Sequence, residues 1–194
     1  MTAVTAFHDI HPIVILALAL ALAACGCAQD KPSGQGTSGD GLHRFVVIDP
    51  GHFHAALVFK RAGYDGISPD VAVYAPVNED FTDHMARVIP FNERADDPAK
   101  WRYTIKLRPD YSEAVFRDRF GDIAVLSGRN DSKIDYIRAC VDSGFNVLAD
   151  KPWIIDPAKY PMLEKILSDA ESRGLVAYDI MTERYEITTQ LQKA

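Results

Sequence analysis

Residues 45–59 read Phe45-Val46-Val47-Ile48-Asp49-Pro50-Gly51-His52-Phe53-His54-Ala55-Ala56-Leu57-Val58-Phe59, and the organisation of the chain follows from them. Phe45 to Ile48 is an unbroken apolar run, the pattern of a strand buried on both faces of a parallel sheet. Asp49-Pro50-Gly51 supplies a tight turn. Phe53 and Leu57 then stand one helical turn apart, which predicts a short helix. Strand, glycine turn and helix in that order aim free backbone N–H groups at a phosphate. The usual fingerprint there is Gly-x-Gly-x-x-Gly. In that register this chain has Asp49-Pro50-Gly51-His52-Phe53-His54, so only the middle glycine is kept. Its missing Cβ is what lets backbone approach a pyrophosphate.

The pattern repeats downstream. Strands are predicted over 45–49, 71–75, 103–107, 122–127, 146–149 and 176–179, with helical patterns over 54–61, 81–88, 111–120, 131–143 and 160–173. Gly63, Pro90, Gly121, Gly144 and Gly174 read as helix stops. A last helix is expected from about Thr182, and residues 78–102 read as loop plus one helix. This alternation predicts an α/β fold: a doubly wound Rossmann arrangement with a mostly parallel six-stranded sheet and helices on both faces. Ligand chemistry then belongs at the carboxyl ends of the strands. The polar stretches Asp49-Pro50-Gly51-His52, Ser127-Gly128-Arg129-Asn130 and Asp150-Lys151-Pro152 fall there.

Upstream, Ile13 to Ala24 is an uninterrupted apolar run of twelve residues. That suits the core of a secretion signal and falls short of the ~20 residues of a spanning helix. Leu22-Ala23-Ala24-Cys25 resembles a bacterial lipobox, which makes Cys25 the lipidation site, residues 1–24 the signal and the location the cell envelope. No Lys or Arg precedes the run, so a different secretory signal and a true membrane anchor stay open. Residues 25–43, rich in Gly, Ser and Asp, read as a flexible tether, leaving 44–194 as the folded domain. The net charge of −6 and the lack of a Lys/Arg-rich run exclude a nucleic-acid surface. Cys25, Cys27 and Cys140 form neither a disulfide framework nor a zinc spacing, and Cys140 falls beside Ile137 and Val141 on a core face.

Three stretches resemble the Gfo/Idh/MocA oxidoreductases, and within them a secreted branch: residues 49–55, Asn146-Val147-Leu148-Ala149-Asp150-Lys151-Pro152, and residues 178–186. Asp150-Lys151-Pro152 matches the family's Glu-Lys-Pro, and Ser127-Gly128-Arg129-Asn130 matches its Thr-Pro-Asn loop with Asn130 in the Asn position. The resemblance implies a domain that binds NAD, or NADP, for hydride transfer to or from a sugar- or polyol-like substrate. It places Lys151 in the active site. In this family a second domain supplies most substrate contacts. This sequence ends about where that domain begins, so the chain by itself is expected to bind dinucleotide and turn over little substrate.

For the cofactor the expected residues are Asp49, Pro50, Gly51, His52, Phe53 and His54 after the first strand, Ser127, Gly128 and Asn130 after the fourth, and Asp150 and Lys151 after the fifth. Asn130 has helix capping as its competing role. A ribose-binding acid is expected ~20 residues past the glycine turn; Glu79 and Asp80 come slightly later, and Arg87 or Arg94 would instead meet a 2′-phosphate. Glu183, Arg184 and Tyr185 either line the cleft or lie on an exposed helix. His52 and His54 also invite a metal-hydrolase reading, which needs histidines at later strand ends. None follows His84, so no metal is expected. A non-catalytic, partner-binding lipoprotein with a vestigial pocket is the other alternative.

Overall fold

The computed structural model describes residues 39–180 and 191–192. The signal, Cys25, Cys27, most of the tether and almost all of the helix expected from Thr182 lie outside the described residues. The element order is β1 (His43–Ile48), α1 (His54–Val58), β2 (Ile67–Ala75), α2 (Glu79–Glu93), β3 (Arg102–Leu107), α3 (Tyr111–Asp118), β4 (Ile123–Leu126), α4 (Lys133–Asp142), β5 (Asn146–Ala149), α5 (Tyr160–Ser172) and β6 (Ala177–Asp179). The strands form one six-stranded sheet in the order β3-β2-β1-β4-β5-β6. Every pairing is parallel, with Ile48 opposite Tyr74 on one side and Leu126 on the other. This is the Rossmann order, and its direction of winding reverses between β1 and β4.

The period-2 alternation of the strands explains both faces. Val46, Ile48, Ala124 and Leu126 point to a core completed by α3, α4 and α5 through Val115, Ile137 and Ile166. Phe45, Val47, Val71 and Val125 point to the opposite core, which Ala55 and Ala56 of α1, Phe59 just after it and Val88 of α2 cover. There the ring of Phe59 meets Phe45 and Trp101 edge-on at 5.6 and 5.5 Å. Truncating such a fully buried ring to Ala costs about 3–5 kcal/mol. Cys140 is wholly buried in the first core, and its burial pushes the thiol up to about 12.

Most boundaries move by a few residues, and two shifts have clear causes. Pro90 was expected to end its helix, yet α2 continues through it to Glu93. Proline removes one helical N–H, but tertiary bonds hold the last turn. The Phe91 carbonyl accepts from Ala99 N at 2.8 Å, and the Asn92 side chain bonds the Trp101 backbone in both directions at 2.7 and 3.0 Å. β1 starts one residue inside the predicted tether, because His43 is tied to the Asp122 carboxylate and Arg44 N donates to that carboxylate at 3.0 Å.

Candidate functional site

The loops that follow β1, β4 and β5 converge on one cavity of about 260 Å³ at the winding reversal. Gly51 and His52 come from the first loop, Ser127 to Asn130 from the second and Asp150 to Pro152 from the third. Asp80, in the first turn of α2, closes the remaining side. Asn78 caps that helix by accepting from Phe81 N at 2.9 Å, which fixes where Asp80 stands.

Gly51 lies at the strand tips, as expected, but its amide is not bare. It donates to the Ser127 carbonyl at 3.2 Å, while Ser127 Oγ donates to the His52 carbonyl at 3.0 Å. The β1 and β4 loops are thereby stitched together, and the expectation of a free Gly51 N–H is corrected. The fingerprint's other glycine roles have moved. Asp49 holds the left-handed conformation, with φ of 46°, at the position of the first glycine; aspartate tolerates that region better than most residues. Close approach passes to Gly128, where a Cβ would come within 2.6 Å of the Asp49 carbonyl oxygen. At Gly51 a Cβ would meet nothing nearer than 3.4 Å and the backbone φ is not positive. Neither packing nor backbone therefore demands glycine there, and the space it leaves opens on the cavity.

The predicted residues divide into those that line the cavity and those that support it. Gly51, His52, Ser127, Gly128, Asn130, Asp150 and Lys151 line it. Asp49, Pro50, Phe53 and His54 are not among its lining residues. Pro50 is buried under the turn, and Phe53 lies 42% exposed against the rings of His52 and His54. Burial, and then the neighbouring Asp80 carboxylate, raise the Asp49 carboxyl above its usual range.

Asp150, 2% exposed, is the hub. Its Oδ1 is 2.7 Å from His54 Nδ1 and its Oδ2 is 3.0 Å from His52 Nδ1. An ionised carboxylate only accepts, so both imidazoles direct Nδ1–H at it. His54 is buried at the start of α1; the His52 side chain is 43% exposed and reaches the cavity. Burial, the largest influence, lowers the His52 pKa against the opposing pull of Asp150.

Sequence reasoning missed Lys133. It is 2% exposed, and its Nζ donates to Asn130 Oδ1 at 2.8 Å. Asn130 therefore orients a lysine and does not cap α4, whose N-cap is Ser132. Burial lowers the Lys133 pKa, and the Asp150 charge works the other way. The signal was present: Lys133, Ile137 and Cys140 share one helical stripe, and the latter two are core. Lys151, exposed at the rim, also borders an apolar hollow of about 410 Å³ walled by Trp153, Leu163, Leu167 and Tyr178. It stands between a polar cavity and an apolar one. Of the other residues weighed, Arg129 lines the cavity, Arg94 bonds the Lys60 and Asp97 carbonyls, and 183–185 fall outside the described residues.

No protein-family model matches the chain, and no curated protein matches it. Solved structures do. A protein provisionally classed as an oxidoreductase, from Parabacteroides merdae ATCC 43184, superposes with a TM-score of 0.73 and 40% identity, covering 79% of this chain and 35% of its own. The 3-ketoreductase KijD10 from Actinomadura kijaniata, solved with NADP and TDP-benzene, gives 0.52 at 15% identity over 78% of this chain and 41% of its own. YPO2259 from Yersinia pestis, also provisionally an oxidoreductase, gives 0.51 at 15% identity over 82% and 40%. The chain thus spans about a third to two-fifths of the length of these proteins. At 15% identity the latter two establish the fold alone.

Proposed function

We propose that this chain is the dinucleotide-binding domain of a Gfo/Idh/MocA-like oxidoreductase. The observation that carries the reading is the convergence of three strand-end loops on one polar cavity at the winding reversal, with Lys151 on its rim. The 40% identity to the Parabacteroides protein provisionally classed as an oxidoreductase supports it, and KijD10 in complex with NADP is a protein of the same fold that holds a dinucleotide. The cavity suits a nucleotide chemically. Gly51 leaves space that its own backbone does not need, and Arg129, Lys133 and Lys151 supply positive charge toward a diphosphate.

NAD or NADP would be held by Gly51, His52, Ser127, Gly128, Asn130, Asp150 and Lys151, with Asp49 and His54 fixing the turn from below. When bound, the nicotinamide supplies hydride acceptance or donation. Asp80 accepts from ribose hydroxyls and repels a 2′-phosphate, so NAD is the preferred cofactor. Lys151 holds the substrate oxygen or the nicotinamide amide, and the apolar hollow beside it receives the substrate side. A sugar- or polyol-like substrate fits a hydroxyl-to-carbonyl hydride transfer. Export through residues 1–24, with lipid attachment at Cys25, is part of the same reading; labelled palmitate should enter the wild-type chain and not Cys25→Ala.

Titration calorimetry with NAD(H) and NADP(H) tests the central claim. Binding of NAD(H) is expected; no heat and no thermal shift with either pair refutes the nucleotide assignment. A dehydrogenase screen of the chain alone is expected to show little turnover.

A further inference from the structure

We propose that His52, His54 and Asp150 form a binding site for a divalent transition-metal ion of the zinc type. The proposal goes beyond the nucleotide reading, shares His52 and Asp150 with it, and is tested without nucleotide. From the sequence, two histidines were too few. The fold adds a third donor from the end of β5, 96 residues from His54.

One donor atom from each of the three side chains lies within 4.8 Å of the others. The two imidazole Nδ1 atoms are 2.7 and 3.0 Å from the carboxylate oxygens. Donors bound to one tetrahedral zinc at about 2.0–2.2 Å stand roughly 3.3 Å apart. The two contacts use different carboxylate oxygens, so rotation of His52 and the carboxylate has to bring one donor from each side chain, now within 4.8 Å of one another, to that spacing. Two imidazoles and one carboxylate are a borderline donor set that suits zinc, with a fourth position left for water or an anion. The scaffold is rigid where it must be: His54 and Asp150 are buried, at the start of α1 and the end of β5. His52, at 43% side-chain exposure, provides access from the cavity. Bound metal displaces the Nδ1 protons, so binding tightens as pH rises.

Two charges oppose the ion. Lys133 and Lys151 both act electrostatically on His52. They set the affinity below that of a closed structural zinc site and favour an anion in the fourth position. Removing one of them should therefore tighten binding, the reverse of what loss of a metal ligand does.

The test uses the full chain without an affinity tag, equilibrated with zinc chloride and read by elemental analysis and calorimetry. Zinc held at Cys25 and Cys27 would survive changes at His52, so the difference between variants is the readout. His52→Ala, at a partly exposed position, keeps the fold and is expected to weaken zinc binding at least about tenfold. His54→Ala is expected to abolish the remainder, and Lys151→Met to strengthen it. Cobalt(II) should give the visible absorption of a low-coordinate site in the wild type and not in His52→Ala. Two results overturn the proposal: zinc binding unchanged in His52→Ala, or no zinc or cobalt binding by a chain that is folded by circular dichroism. Either identifies the cluster as hydrogen-bonded only.

Discussion

Two buried aspartates hold histidines at opposite ends of the same sheet. Asp122, 3% exposed at the amino end of β4, pairs with His43 and accepts from Arg44 N; its backbone also bonds Arg44 and Asn146. Asp150, 2% exposed at the carboxyl end of β5, faces two imidazoles and the Lys133 charge, beside a cavity. The first is a latch between neighbouring strands, although His43, its side chain 37% exposed, also borders an apolar cavity of about 560 Å³ with Phe45, Tyr64 and Leu148. The second is the candidate site, because Asp150 and its partner His52 line a polar cavity where three strand-end loops meet. In a parallel α/β sheet the two ends are not equivalent. Loops at the carboxyl ends diverge around a winding reversal, the place where ligands bind in open α/β sheets.

Substitution at the two aspartates separates these roles most sharply. Asp150→Ala strands the buried Lys133 charge and should cost about 3–5 kcal/mol in urea unfolding and remove NAD binding. Asp122→Asn should cost about 1–3 kcal/mol and leave NAD affinity unchanged. Equal loss of NAD affinity in both would erase the distinction between latch and site.

His84 sharpens the comparison because, among the described residues, neither of its buried ring nitrogens has a hydrogen-bond partner. It is 3% exposed, and burial, then Arg87, lower its pKa to about 4. The unfolded chain takes up that proton near the ordinary pH of 6.5 and the folded chain resists it. The stability His84 confers is therefore intact above 6.5 and is lost as pH falls toward 4, by about 3 kcal/mol at pH 4. Urea midpoints across that window should fall in the wild type, with the His84 share of the fall missing in His84→Phe.

Smaller effects distinguish the two loop glycines. Gly128→Ala pushes a Cβ to within 2.6 Å of the Asp49 carbonyl and should cost about 1–3 kcal/mol. Gly51→Ala meets only ordinary contacts, so stability should change by less than about 0.5 kcal/mol. Its NAD affinity should nonetheless fall about tenfold or more, equivalent to roughly 1.4 kcal/mol. Unchanged affinity in Gly51→Ala would mean that the space above Gly51 is not used. Smallest of all on stability is Lys151→Met, expected within about 0.5 kcal/mol of wild type at an exposed position.

Local pattern alone determined the α/β alternation, the six strands and the three polar strand ends. Each is carried by neighbours in sequence: the apolar run at 45–48, the stripe of Ile134, Ile137 and Val141, the stops at Gly144 and Gly174. A period of two or 3.6 residues reports which side of its own element a residue faces. It carries no information about what arrives from elsewhere. Only the tertiary structure therefore brought Asp150 to His52 and His54, buried Lys133 beside Asn130, and gave the Gly51 amide to Ser127. It also carried α2 through Pro90, because the bonds to Ala99 and Trp101 offset the helical bond that proline cannot make.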